Sequence, residues 1–143
     1  MKVAIVTGAS RGIGREIAKA LSEKGIKVIA NYNKSEEQAK EMQNENPEID
    51  IFKADVSKRE EVKELVRFTL EKFKNIDVLI NNAGIAQSKL FVDITDEDWD
   101  KMMQVNLNSV FYCTQEVLEN MIHNKSGSII NISSIWGMCR SIL

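Results

Sequence analysis

The sequence predicts an α/β fold in which helices cover both faces of a parallel sheet. Three observations carry that prediction. Short apolar runs alternate with helical periodicities along the whole chain. The run Val78-Leu79-Ile80 is continuous rather than alternating, as in strands covered on both faces. The first apolar run breaks into a glycine-rich turn that opens a helix.

Composition sets the outer limits. The chain has 143 residues, 43% hydrophobic and 28% charged, with one proline, which fits one packed domain over residues 1–143. Nineteen basic and twenty-one acidic residues leave a formal net charge of −2. No long run of one sign invites nucleic acid or an anionic membrane. No apolar stretch approaches the roughly 18 residues of a membrane span. The opening run meets its glycine turn too soon for a secretory signal. Cys113 and Cys139 lack a CxxC or Cys/His setting, so no metal site or disulfide is predicted. Both read as apolar fillers of a protein in the reducing cytoplasm.

The elements follow in order. Residues 2–7 form the first strand, and Ile13, Ile17 and Leu21 set a helix at four-residue spacing that Gly25 closes. Residues 28–30 form the second strand. Ser35 with Gln38 makes a capping box for a helix that must end before Pro47. The third strand covers 49–53. Ser57 with Glu60 repeats the box, and Val62, Leu65, Val66, Thr69, Leu70 and Phe73 trace one helix face. Residues 77–80 are the fourth strand. Thr95 with Asp98 caps a fourth helix running to about His123, and residues 128–132 supply the fifth strand. Strict alternation requires right-handed βαβ crossovers.

Chemistry enters at Thr7-Gly8-Ala9-Ser10-Arg11-Gly12-Ile13-Gly14. Between a strand and a helix, Gly8 permits a sharp turn, Gly12 lets the backbone approach a pyrophosphate, and Gly14 lets helix and strand pack closely. The phosphates then face the free amides and positive dipole end of the helix. Ser10, Arg11 and Ile13 complete the candidate contact set.

This TGASRGIG turn resembles the TGxxxGxG cofactor turn of the short-chain dehydrogenase/reductase family. Ala54-Asp55-Val56 resembles the family's Asp-Val adenine contact, and Asn81-Asn82-Ala83-Gly84 its NNAG segment. Asn106 in Gln-Val-Asn-Leu and Ser134 in Ile-Ser-Ser-Ile-Trp-Gly match two members of its catalytic set. The resemblance runs from Met1 to about Gly137. It implies a Rossmann-like doubly wound sheet in the order 3-2-1-4-5, without the sixth and seventh strands. It also implies NAD(P) binding by the glycine turn, Asp55, Val56, Asn82, Ala83 and Gly84, with Ser134 and Asn106 in the catalytic set.

Cofactor choice follows from charge. NAD-preferring relatives carry an acid after the second strand for the ribose 2′-hydroxyl, and Asn31 stands at that place here. Arg11 and Lys34 are cations placed to meet a 2′-phosphate, so NADP is favoured over NAD. The wording resembles most the reductases of β-ketoacyl chains on acyl carrier protein, which implies an acyl thioester substrate.

The family's proton donor is a tyrosine followed four residues later by lysine. Tyr32 and Tyr112 are followed at that spacing by Glu36 and Glu116. The chain is therefore expected to be a truncated reductase, inactive alone, or else a non-catalytic dinucleotide-binding module or a structural partner of a full-length relative. An open fifth-strand edge predicts a homo-oligomer, and the resemblance implies the fourth helix as a second contact surface, since the equivalent helix in relatives packs against a partner subunit. Trp99 and Trp136 read as packing aromatics. His123 reads as a dipole-facing or solvated residue near a helix end.

Overall fold

The structure, a computed structural model, describes residues 1–134. Strands β1 (Val3–Val6), β2 (Lys27–Tyr32), β3 (Ile49–Lys53), β4 (Val78–Asn81) and β5 (Ser128–Asn131) form one parallel sheet in the order β3-β2-β1-β4-β5. The predicted doubly wound topology is therefore present. The winding reverses between β1 and β4, and open sheets of this kind bind ligands at the carboxyl ends of the strands beside that reversal.

Helices α1 (Gly12–Glu23), α2 (Glu36–Glu45) and α3 (Arg59–Phe73) form the first three crossovers, and α4 (Asp96–Met103) with α5 (Ser109–His123) the fourth. The period-two direction of strand side chains divides the core. Ile5, Ile29 and Leu79 pack with Val62, Leu65, Val66, Val117 and Met121 from α3 and α5. Val6, Val28, Ala30 and Ile80 pack with Ala18 and Met42 from α1 and α2. Each fully buried branched side chain contributes about 1.5–3 kcal/mol, so both helical layers hold the sheet that presents the site. Leu70 and Phe73 lie at the margin of the α3 face, partly buried. Arg59 clasps the layer by bonding Gln115 (2.7 Å) and Glu116 (3.0 Å) while its guanidinium lies over Tyr112.

Helix ends decide several expectations. Gly25, at φ 77°, follows α1 in the left-handed region, and the bonds Gly25 N to Ser22 O and Ile26 N to Leu21 O complete a Schellman motif. The Thr95–Asp98 box is present in both directions. The other two boxes do not form. Ser35 precedes α2 without a side-chain cap, and the first residue of that helix, Glu36, pairs with Lys40 instead. Before α3 the cap position is Lys58, because the Asp55 carboxylate has already engaged Ser57. Strand β2 extends beyond 28–30, since Asn31 and Tyr32 still pair with Phe52 and Lys53.

The predicted continuous helix to His123 is interrupted. Gln104–Asn108 form a π-helical turn between α4 and α5, an insertion that typically marks a functional residue. Trp99 is 54% exposed rather than packed, and α4 has no buried residue among the described residues. His123 is the exposed last residue of α5. Cys113 is buried, and loss of solvent pushes its thiol up to about 12, consistent with a filler. Trp136 and Cys139 lie outside the described residues. Among the described residues no helix is long and apolar enough to cross a membrane.

Candidate functional site

The site grows from the carboxyl end of β1. Its last residue is followed by Thr7, and Gly8 then takes φ 62°, a left-handed conformation that strains any other residue. A Cβ on Gly8 would also lie 2.9 Å from Ala83 Cα. Gly12 starts α1 at φ 58° and faces open space, so backbone conformation rather than crowding requires glycine there. A Cβ on Gly14 would collide with Asn82 Nδ2 and Gly8 O. The three glycines thus provide a left-handed turn at Gly8, an open backbone at Gly12 and close packing at Gly14.

Arg11 is the N-cap of α1 and supplies no side-chain cap, and the first turn holds no acidic residue. The leading amides of Gly12, Ile13 and Gly14 have no acceptor within the helix. An electropositive helix end is left facing outward. Ser10 is buried beneath this turn, whereas Ile13 is exposed.

The segment after β4 is clamped to the turn. Asn82 Nδ2 donates to Thr7 O (2.9 Å) and Gly8 O (3.1 Å). Thr7 Oγ1 accepts from the amides of Asn82 and Ala83, both at 3.0 Å, and donates to Ile80 O. Its neighbour Asn81 bonds Asn131 Oδ1 (2.9 Å) and Thr114 Oγ1 (3.3 Å), joining β4 to β5 and α5. In the π turn, Asn106 bonds both backbone groups of Ile85: Oδ1 accepts from Ile85 N (2.8 Å) and Nδ2 donates to Ile85 O (2.9 Å). Gly84 fits against that amide, since a Cβ there would lie 3.2 Å from Asn106 Oδ1.

Thr7, Asn81 and Ile85 were not among the candidate site residues. The available signal was polar groups at strand ends, where apolar runs stop. Sequence alone does not say which of two adjacent asparagines turns inward.

On the adjoining β3–α3 loop, Asp55 Oδ1 accepts from Ser57 N (3.0 Å) and Ser57 Oγ (2.6 Å). Glu61 Oε2 accepts from Asp55 N (2.6 Å). The second carboxylate oxygen of Asp55 has no bond among the described residues, while Val56 is buried beneath the loop. Asn31 is 2% exposed. Its side chain is occupied with backbone groups of both loops rather than presented to solvent.

Cation use separates the basic residues nearby. Arg15 and Lys19 are committed to Glu45, with Arg15 also reaching Glu41, and the Glu45 contact holds the Arg15 guanidinium above its ordinary range. Arg11 and Lys34 are exposed and have no ion pair among the described residues. Ser134 lies exposed beyond the end of β5. The structure therefore brings Gly8, Gly14, Asn82 and Ala83 around Thr7, sets Gly84 against Asn106, and joins Asp55's loop to the turn through Asn31.

The short chain dehydrogenase profile matches residues 2–143. The chain belongs to the short-chain dehydrogenase family. It is 42% identical, over 95% of its length, to a 3-oxoacyl-[acyl-carrier-protein] reductase of Staphylococcus epidermidis. It is 45% identical, over 96% of its length, to one of Synechocystis sp.. It spans 57% of the length of each of these curated relatives. Among solved structures, an actinorhodin polyketide ketoreductase variant with NADPH aligns at TM-score 0.92 and 34% identity, over 99% of this chain and 56% of that one. A second, gox2181, aligns at TM-score 0.93 and 32% identity, over 99% of this chain and 57% of that one. The resemblance in the motifs is thus membership of the short-chain dehydrogenase family, and the sheet order it implied is the order found.

Proposed function

We propose that residues 1–143 form one domain that binds NADP(H) within a reductase acting on the ketone of a thioester-linked acyl chain. The observation that carries the cofactor is the uncapped, glycine-bordered start of α1 with the exposed Arg11 at its N-cap; Arg11 and Lys34, the latter just past β2, have no ion pair among the described residues. Anions bind such helix ends through free amides and the dipole. The turn fits a pyrophosphate because Gly12 leaves open space. The uncommitted oxygen of Asp55 suits an adenine amino group, with Val56 beneath it and Ala83 and Gly84 along the approach. A neutral Asn31 puts no carboxylate against a 2′-phosphate, and this favours NADP over NAD.

The acyl substrate is proposed from the curated relatives, both named as 3-oxoacyl-[acyl-carrier-protein] reductases. When bound, the dihydronicotinamide supplies a hydride. Ser134 would donate a hydrogen bond to the substrate carbonyl oxygen, and Asn106 would hold the Ile85 segment in place. A positioned proton donor adds typically 10²–10⁴-fold, and these 143 residues contain no tyrosine with a lysine four positions on. For residues 1–143 taken by themselves, the second reading proposed is cofactor binding with little or no turnover. NADPH oxidation with an acetoacetyl thioester should stay at background. Turnover lost in Ser134→Ala would refute that expectation.

Exposed Phe91, Val92, Trp99, Phe111 and Ile122 support homo-oligomer formation. A cytoplasmic location remains part of the same proposal. Calorimetric titration tests the cofactor: NADP(H) should bind more tightly than NAD(H), and Arg11→Ala should narrow the difference. Equal affinities in the unaltered protein would defeat the charge argument.

A further inference from the structure

Asn31 occupies a position whose neutrality explains only part of its chemistry. It is buried at the carboxyl end of β2, between the glycine turn and the β3–α3 loop. Its backbone oxygen accepts from Ala9 N at 2.8 Å, and its side-chain Oδ1 accepts from Gly8 N at 3.4 Å. On the opposite side, Nδ2 donates to Ala54 O at 2.9 Å, with Phe52 O at 3.4 Å. One amide therefore bonds the first residue of the proposed pyrophosphate turn and the residue before Asp55. Asparagine meets this demand because it carries an acceptor and a donor on one short, uncharged group. Aspartate offers no donor for Ala54 O, and an apolar residue offers neither bond.

We infer that Asn31 is a positioning residue that couples the pyrophosphate turn to the adenine-side loop and fixes the spacing between them. The inference rests on the dinucleotide reading and deepens it. Neither loop is held to the other by a further side-chain bond among the described residues, because Asp55 bonds only Ser57 and Glu61. A ligand spanning both loops gains from a spacing already set, since the cost of ordering them is met before binding. A ligand touching one loop gains much less. Binding at either loop should also tighten the other through the shared amide.

Hydrogen exchange on the unaltered protein reads the coupling directly, with adenosine 2′-monophosphate as the adenine-side probe and inorganic pyrophosphate as the turn-side probe. Each probe should slow exchange at both the Gly8 and the Asp55 amides. Protection confined to the loop each probe touches would overturn the inference. In Asn31→Ala, NADP affinity should fall about tenfold while each probe changes by no more than about twofold. Equal losses for all three ligands, or no loss for NADP, would also overturn it. Asn31→Asp keeps an acceptor for Gly8, so exchange should quicken at Asp55 and stay slow at Gly8. Quickening at neither loop would contradict the link. Failure of all three ligands to bind the unaltered protein would reject the dinucleotide reading. The link itself would then be decided without ligand: joint quickening at Gly8 and Asp55 in Asn31→Ala supports it, and quickening at Gly8 alone overturns it.

Discussion

Thr7 uses its hydroxyl fully, donating to Ile80 O and accepting from the amides of Asn82 and Ala83. Thr7→Val keeps the shape and strands two amide donors, each worth about 1–3 kcal/mol when left buried without a partner. Urea unfolding should show a loss of about 2 kcal/mol or more; a change within about 0.5 kcal/mol, the usual range of an uninvolved surface site, would contradict the clamp. Gly14→Ala should also weaken the protein, by about 1–3 kcal/mol, because its new methyl meets Asn82 and Gly8 O. At this scale the sequence was legible where a residue type has one use. The glycines of the turn were readable because only glycine tolerates the conformation or the contact. Asn31 was readable as uncharged but not as a brace, because its partners Gly8 and Ala54 lie 23 residues away on either side.

Helix α4 shows how local signals succeed and fail within one element. Its Thr95–Asp98 box was legible because both partners lie within one turn. Asp98 also pairs with Lys89, and that contact, with the Thr95 amide, holds its carboxyl well below the ordinary range. A lowered carboxyl stabilises the folded element fully above the unfolded value of about 3.9 and loses that contribution as pH falls below it. Amide protection over Asp96–Met103 should therefore drop on acidification below about pH 4, earlier than in the β1 core, and the pH effect should shrink in Asp98→Asn. Unchanged protection down to about pH 2 would remove Asp98 from the account. The Ser57 box failed for a competing local reason: Asp55, two residues earlier, takes the same hydroxyl. The π turn was not legible, because its apolar spacing reads as continuous helix and the insertion is set by tertiary bonds from Asn106 to Ile85.

The whole molecule is organised by the alternation of buried runs and helices, and that pattern was legible because parallel strands covered on both faces cannot alternate in polarity. Assembly depends on surfaces that local patterns describe less well: Phe91 and Val92, just before α4, and Trp99 on α4 stand exposed. Analytical ultracentrifugation at micromolar concentration should find a dimer or larger species, and a monomer would contradict the proposed oligomer. In the proposed function the turn at the start of α1, the β3–α3 loop and the segment after β4 hold one dinucleotide together. Chemical-shift mapping by nuclear magnetic resonance during NADP titration tests it most directly. Saturable shifts should concentrate at Gly8, Arg11, Gly12, Ile13, Asp55, Val56, Asn82, Ala83 and Gly84; shifts confined to other surfaces, or none at saturating NADP, would rule out a shared dinucleotide site.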